Sequence, residues 1–168
     1  TRSFISITLI ILFMIIERKD VELQIKDLKK WLLVYGRRKT GKTFIIRNFI
    51  PYDEYFFVKS DKNLLLEDRQ IDYGTFIEIL RRALEQNKTV VVDEFHRLGK
   101  DFFDTLHAME KNGKLILISS TLFLSKKLIS ERSPLLGLFA EVPVGLIALN
   151  DTLQALKNTR LSKKEMLE

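Results

Sequence analysis

A strand-like apolar run leads directly into a glycine-containing loop in the first third of the chain. The run Trp31 to Tyr35 is followed by an eight-residue segment, Gly36-Arg37-Arg38-Lys39-Thr40-Gly41-Lys42-Thr43. This segment fits the pattern G-x-x-x-x-G-K-[ST], and a helical pattern begins at Phe44. The two glycines let the backbone turn tightly and aim successive N–H groups at phosphate oxygens, while the helix N-terminus adds a favourable dipole. The sequence therefore predicts a P-loop between a strand and a helix.

The side chains of this loop point to a nucleotide with a divalent cation. Lys42 can reach the β- and γ-phosphates, and the Thr43 hydroxyl can hold Mg²⁺. We therefore expect ATP and Mg²⁺ as ligands, and a plain glycine turn is the weaker alternative because a strand and a helix flank the loop. The residues expected to bind the nucleotide are Gly36, Arg37, Arg38, Lys39, Thr40, Gly41, Lys42 and Thr43.

A second apolar run ends in two adjacent carboxylates. Thr89 to Val92 is rich in β-branched residues, and Asp93 and Glu94 follow it. A carboxylate at the carboxyl end of a buried parallel strand emerges at the edge of the sheet where a P-loop lies. This is the pattern of a Walker B strand, in which Asp93 would hold Mg²⁺ through a water of its shell and Glu94 would polarise the attacking water. A buried strand with a solvated acidic end is the alternative.

The remaining pattern alternates between helices and strands, which predicts a parallel α/β sheet flanked by helices. A capping box at Thr75 and Glu78 predicts a helix that reaches about Gln86. Asn112-Gly113 predicts the end of a helix that contains Phe102 and Met109. The other predicted elements are helices in 21–30, up to Phe49, in 122–129 and from Asn150 or Asp151, and strands at Tyr55–Val58, Leu115–Ile118 and within Leu138–Ile147.

Three hydroxyl residues follow the strand predicted at Leu115–Ile118. In P-loop ATPases that have an extra strand between the P-loop and Walker B strands, a polar residue at this point senses the γ-phosphate or positions the water. Ser119 and Ser120 are therefore candidate catalytic residues together with Glu94. The alternative is that these hydroxyls cap the next helix.

The amino-acid composition limits which partners the chain can have and excludes several classes of site. The 168 residues suit a single domain, and the absence of cysteine excludes disulfides and thiolate metal sites. His96 and His107 are too far apart in sequence for a helical metal pair, so we expect no metal besides Mg²⁺. The net charge of +6 leaves nucleic acid open as a partner, but no motif supports it. Use of a nucleotide favours the cytoplasm.

The N-terminal segment is almost continuously apolar from Phe4 to Ile16. It is shorter than the roughly 20 residues that a membrane-spanning helix needs. We therefore interpret 1–30 as an apolar and amphipathic structural or interaction segment, and a membrane anchor is the alternative.

The motifs together resemble the archaeal ATPase family, a STAND branch of the P-loop ATPases related to the AAA+ proteins. Three segments, which start at Tyr35, Val92 and Leu115, carry the resemblance: YGRRKTGKT, VDEFHRL and LILISST followed by SPLLG. The family usually has glycine where Ile118 stands, glutamine where His96 stands and arginine where Leu138 stands. The last difference removes an arginine that could stabilise charge at the phosphates, and Arg132 is nearby but not equivalent.

The resemblance implies an ASCE or AAA+-like core at 31–150, with the P-loop strand central and the Walker B and Ser119 strands beside it. It also implies that the basic helix at 151–168 is truncated, because family members carry further C-terminal domains. The function expected is a switch ATPase with low intrinsic turnover that works with a protein partner or as a homo-oligomer. A nucleotide-binding interaction module with negligible turnover and a small-molecule kinase are the alternatives.

Overall fold

The structure, a computed structural model, describes residues 16–29, 31–121, 137–147 and 149–158. Its strands are β1 (Trp31–Tyr35), β2 (Glu54–Val58), β3 (Leu64–Leu66), β4 (Arg69–Ile71), β5 (Thr89–Asp93), β6 (Lys114–Ser119) and β7 (Phe139–Pro143). Its α-helices are α1 (Lys19–Asp27), α2 (Lys42–Phe49), α3 (Tyr73–Glu85), α4 (Lys100–Ala108) and α5 (Leu149–Asn158). The helix expected at 122–129, Arg132, and nearly all of the apolar segment 4–16 lie outside the described residues.

The strands form one mixed sheet in the order β4-β3-β2-β5-β6-β1-β7. Strands β2, β5, β6, β1 and β7 run parallel, and β3 and β4 extend the sheet as an antiparallel hairpin. The α/β class with helices around a mostly parallel sheet is confirmed, whereas the hairpin was not predicted. The P-loop strand β1 lies next to an edge strand instead of centrally, and β6, which ends in Ser119, separates it from the Walker B strand β5.

The helices cover both faces of the sheet, which explains the continuous apolar character of its parallel strands. On one face, α3 and α4 pack against strand residues such as Leu33, Phe56 and Leu117. On the other face, α1 and α2 pack against residues such as Leu32, Val91 and Ile116. Successive residues of one strand thus enter opposite cores, as the pleat requires.

Helices α1 and α5 begin at Lys19 and Leu149, slightly before their predicted starts, so neither Asn150 nor Asp151 caps α5. One end of α3 and one end of α4 also differ from the sequence prediction. The N-cap of α3 is Asp72, whose carboxylate accepts from Thr75 N at 3.0 Å, so the expected Thr75 capping box is wrong. Helix α4 ends at Ala108 with Met109 as its C-cap, so Asn112-Gly113 does not terminate it. Both helices exist where the apolar periodicity placed them, since burial of the apolar face fixes the helix and a local polar residue fixes only its end.

The chain divides into two compact units, 20–145 and a second one that combines 1–19 with 146–168. The first contains the whole sheet and helices α2 to α4. Within the second unit, buried Arg18 forms an ion pair with Asp151 of α5, with 3.3 Å between Nε and Oδ2. Among the described residues, no helix has the length and apolarity needed to cross a membrane.

Candidate nucleotide site

The carboxyl ends of three neighbouring strands bring the predicted site residues together. Strand β6 lies between β1 and β5, with Tyr35 opposite Ser119 and Asp93 opposite Ile118. The P-loop follows β1, Glu94 follows β5 and Ser120 follows β6. Polar groups from three separate parts of the chain thus meet at one sheet edge, which is where ligands bind in open α/β sheets.

The P-loop closes onto the first turn of α2 through two residues with a positive φ. Gly41, the N-cap of this helix, has φ 86°, and Lys39 has φ 64°. A positive φ suits glycine because it has no Cβ. Thr40 is buried, and its hydroxyl donates to the Arg37 carbonyl at 3.0 Å. The turn leaves the N-terminus of α2 facing the loop, an arrangement that can accept an anion.

Lys42 lies inside this loop and not in solvent. Its ammonium donates to the Gly36 carbonyl at 3.0 Å and to the Arg37 carbonyl at 2.7 Å. Burial lowers the pKa of Lys42, while the carboxylates of Glu94 and Asp93 act in the opposite direction. The structure therefore holds a buried cation between the loop carbonyls, close to two carboxylates.

Asp93 connects the two motifs. Its Oδ2 accepts from the Thr43 hydroxyl at 2.7 Å, and its Oδ1 accepts from Glu94 N at 2.8 Å. Asp93 is buried, so the hydrogen bonds offset the cost of removing its charge from water. The hydroxyl and the carboxylate together form a hard oxygen donor set, which is the chemistry that Mg²⁺ prefers.

Glu94 lies beside Asp93 in a left-handed backbone conformation, with φ 57° and ψ 32°. Its Oε2 accepts from the Ser120 hydroxyl at 3.0 Å and lies 3.2 Å from the Arg97 guanidinium. Arg97 also donates to the Val58 carbonyl at 2.6 Å, which fixes it to the end of β2. The carboxylate is therefore oriented by two neighbouring elements.

Ser119 has a different environment from Ser120. Ser119 is fully buried, and its hydroxyl lies 3.1 Å from His96 Nδ1, while Thr121 Oγ1 lies 3.3 Å from His96 Nε2. Burial lowers the pKa of His96, Glu94 raises it, and Arg97 lowers it further. Ser119 thus belongs to a hydroxyl–imidazole cluster behind the site, and Ser120 faces Glu94.

A cleft of about 460 Å³ opens over these residues. Its lining includes five of the eight predicted loop residues, Glu94 and Ser120, and it continues along the exposed face of α2. The lining residues are Arg38, Lys39, Gly41, Lys42, Thr43, Phe44, Arg47, Asn48, Glu94 and Ser120. Gly36, Thr40, Asp93 and Ser119 lie behind this surface.

Tyr55, Arg97 and Arg47 contact the site although the sequence did not single them out for it. The Tyr55 hydroxyl donates to Asp93 Oδ2 at 2.6 Å, and the Arg47 guanidinium lies 4.3 Å from the centre of the Tyr55 ring. Burial, and after it Asp93, raises the pKa of Tyr55, so the phenol remains a donor at neutral pH. Only the strand order brings β2 beside β5, so no local signal could reveal the contact of Tyr55 with Asp93. Arg97, in contrast, lies three residues after Glu94, so its contact with this carboxylate is local in sequence.

Leu138, where the resemblance led us to expect an arginine, lies in an apolar environment. It follows Gly137 and packs, partly buried, against the core formed with α3 and α4. Arg97, in contrast, places its guanidinium 3.2 Å from Glu94 Oε2.

Two solved structures have a similar fold at low sequence identity. One is a Signal Transduction ATPase with Numerous Domains (STAND) protein with a tetratricopeptide repeat sensor from Pyrococcus horikoshii, with a TM-score of 0.60, 12% identity, and coverage of 92% of this chain and 27% of that one. The other is the RuvB Holliday junction branch migration motor of Thermotoga maritima, with a TM-score of 0.52, 16% identity, and coverage of 83% and 48%. The chain thus spans less than half of either structure.

Curated proteins provide no sequence match. The profile of the AAA domain family, in contrast, matches residues 28–137, a segment that starts just before β1 and contains the loop, both carboxylates and Ser120. This segment is longer than half of the chain, and the chain belongs to the AAA domain family.

Proposed function

We propose that this chain is a Mg²⁺-dependent, ATP-binding and ATP-hydrolysing domain that acts as a STAND-type switch. The observation that carries the proposal is the 2.7 Å hydrogen bond between Thr43 and Asp93, which joins the phosphate loop to the Walker B strand. A glycine turn that arose by chance would not need the buried carboxylate of Asp93, which lies on β5, two strands away from β1 in the sheet.

The loop residues from Gly36 to Thr43 bind the phosphates. Lys42 exchanges its contacts with the loop carbonyls for contacts with the β- and γ-phosphates, and the N–H groups at the start of α2 add a favourable field. Thr43 and Asp93 hold Mg²⁺, whose bound charge neutralises the phosphate oxygens. The described residues contain no cluster of three or more His, Cys, Asp or Glu side chains that could hold another metal.

Glu94 serves as the general base that orients and polarises the attacking water. Ser120 donates to this carboxylate, so a phosphate that approaches can compete for the Ser120 hydroxyl and release Glu94. Ser119 acts more indirectly, through His96. Ser119 and Ser120 therefore couple the presence of the γ-phosphate to the position of the end of β6. A switch needs a structural change of this kind.

Turnover of the isolated chain is slow in this proposal. An arginine at the transferring phosphate contributes roughly 10³–10⁵ in rate, and Leu138 occupies the position where the family carries one. A protein partner or a second copy of the chain supplies the missing charge. For the domains we keep an N-terminal segment at 1–30, a core at 31–150 and a basic C-terminal segment at 151–168 that includes most of α5. We propose the cytoplasm as the compartment.

The second candidate is a nucleotide-binding interaction module with negligible turnover. It is favoured by the contacts of Glu94, because a carboxylate oxygen that already accepts from Ser120 and lies 3.2 Å from Arg97 is less accessible to an attacking water. A small-molecule kinase is a weaker candidate and would require an acceptor.

Binding and turnover separate these functions. Calorimetry with ATP, with and without Mg²⁺, should show tighter binding when Mg²⁺ is present. Phosphate release without any added acceptor identifies an ATPase and excludes a kinase that needs an acceptor. Tight binding with no release identifies the interaction module, and failure to bind Mg·ATP at millimolar concentration overturns the proposal.

A further inference from the structure

Tyr55 lies in β2 beside the Walker B strand and is 4% exposed. It pairs with Val91 of β5, and its side chain enters the core that contains α2. Asp93 follows Val91 by two residues, so both side chains emerge on the same face of the sheet. This register lets the phenol of one strand reach the carboxylate of the next, at 2.6 Å.

Three donors from different parts of the chain fix the Asp93 carboxylate. Oδ2 accepts from the Tyr55 hydroxyl and from the Thr43 hydroxyl, and Oδ1 accepts from Glu94 N. Thr43 comes from α2 and Glu94 from the chain just after β5. Tyr55 is the donor that neither of the two nucleotide motifs supplies.

The Tyr55 ring is itself braced on two sides. The Arg47 guanidinium lies 4.3 Å from its centre, a distance suited to a cation–π contact, and the Tyr52 ring lies 5.4 Å away. Arg47 is one helical turn beyond Thr43 on α2. One helix therefore supplies both a donor to Asp93 and a support for the second donor.

We propose that Tyr55 is a positioning residue for the Mg²⁺ site, because its buried hydroxyl holds the Asp93 carboxylate in the orientation in which it meets Thr43. The inference rests on the proposed function, since it concerns the same Asp93. Groups that orient a metal ligand through hydrogen bonds typically affect metal affinity by about 10–100-fold.

The test is Tyr55→Phe, which removes the hydroxyl and keeps the ring that Arg47 covers. ATP affinity is measured by calorimetry in EDTA and then across a Mg²⁺ titration. We expect unchanged affinity in EDTA, because the phosphate loop is intact. We expect the Mg²⁺ concentration that gives half of the affinity gain to rise by about tenfold.

Tyr52→Phe is the matched control, since it makes the same substitution in the neighbouring, more exposed ring. It should leave the Mg²⁺ midpoint unchanged. If Tyr55→Phe has the wild-type midpoint, or loses affinity equally in EDTA and in Mg²⁺, the positioning role is wrong while the proposed function stands. If wild-type binding is insensitive to Mg²⁺, the proposed function and this inference both fall.

An Asp93→Asn background keeps the test decisive if Tyr55→Phe does not fold. Loss of one partner leaves a buried carboxylate with fewer donors, and this cost is smaller when the charge is removed. We expect the double variant with Tyr55→Phe to melt only slightly below Asp93→Asn and the two variants to bind ATP equally in EDTA. A double variant that melts well below Asp93→Asn would show that Tyr55 acts through packing, which overturns the proposal.

Discussion

The Ser120 hydroxyl donates to Glu94 Oε2 at 3.0 Å and thereby joins the end of β6 to the residue after β5. Two strands that are adjacent in the sheet thus share a polar contact at the mouth of the cleft. Arg97 approaches the same carboxylate oxygen. The carboxylate proposed as general base is therefore oriented before any substrate is bound.

Replacement of Glu94 by glutamine tests this role because the amide keeps the shape of the side chain but cannot accept a proton. We expect turnover to fall by about 10²–10⁴-fold, with Mg·ATP affinity close to that of the wild type. Steady-state phosphate release and calorimetry measure the two effects. Glu78→Gln changes an exposed carboxylate on α3 and should leave turnover unchanged. Equal turnover of Glu94→Gln and the wild type would remove Glu94 from catalysis.

Lys42→Ala removes the buried ammonium that bridges the loop carbonyls of Gly36 and Arg37. A charge-assisted contact to phosphate contributes roughly 1.5–3 kcal/mol, so affinity for Mg·ATP should fall by one to two decades. Calorimetry measures the change. Lys111→Ala, an exposed loop substitution, controls for the loss of one positive charge. Unchanged affinity in Lys42→Ala would contradict the assignment of the phosphate loop.

His96 predicts how stability depends on pH. Burial lowers its pKa in the folded chain, whereas an unfolded histidine has a pKa of about 6.5. Between these two pKa values the unfolded chain binds more protons, so the free energy of unfolding falls as pH decreases from about 6.5 through the folded pKa. Above about pH 6.5 both states are neutral at this position and His96 contributes no pH dependence.

Urea unfolding of His96→Gln between pH 7.5 and 5 measures this contribution. The variant should lose less stability than the wild type as the pH falls, since glutamine keeps hydrogen-bonding groups but does not titrate. His107→Gln, in the exposed last turn of α4, should follow the wild-type curve. Parallel curves for His96→Gln and the wild type would show that protonation of His96 does not oppose folding.

Local signals in the sequence account for the parallel part of the fold. The apolar runs of β1, β5 and β6 and the loop before Lys42 are each contained in one short segment, so their residues predict them without knowledge of the rest. The sequence likewise placed Asp93 and Glu94 at the end of a strand. Contacts such as Tyr55 with Asp93 depend on which strands are neighbours, and no pattern in a single segment carries that information.

The hairpin β3–β4 could not be predicted from the sequence for a different reason. Leu66 pairs with Arg69, so Glu67 and Asp68 form a two-residue turn. Such turns favour Asn-Gly or Asp-Gly because they need positive φ, and here Glu67 adopts φ 53° instead. The usual hairpin signal is absent from the sequence, and the short strands give little periodicity.

Gly113 has a structural role that differs from the one its sequence context predicted. We expected it to end a helix, but α4 stops at Ala108 and Gly113 lies against the end of α3. An added Cβ would lie 2.5 Å from the Lys88 carbonyl oxygen and 2.8 Å from Leu84 Cα. Close approach of two backbones, and not a left-handed turn, requires glycine at this position.

Gly113→Ala should therefore destabilise the chain, because both atoms that the new methyl group would meet belong to the backbone and cannot rotate away. Forced shifts of this kind typically cost about 1–3 kcal/mol, and the strain would also reach Trp31, whose Nε1 donates to the Gly113 carbonyl at 3.0 Å. Urea unfolding at neutral pH measures the loss. Gly145→Ala is the matched control, because a Cβ there meets no atom within 4 Å and should change stability little. If the two variants unfold at the same urea concentration, the tight contact between Gly113 and the end of α3 does not exist in solution.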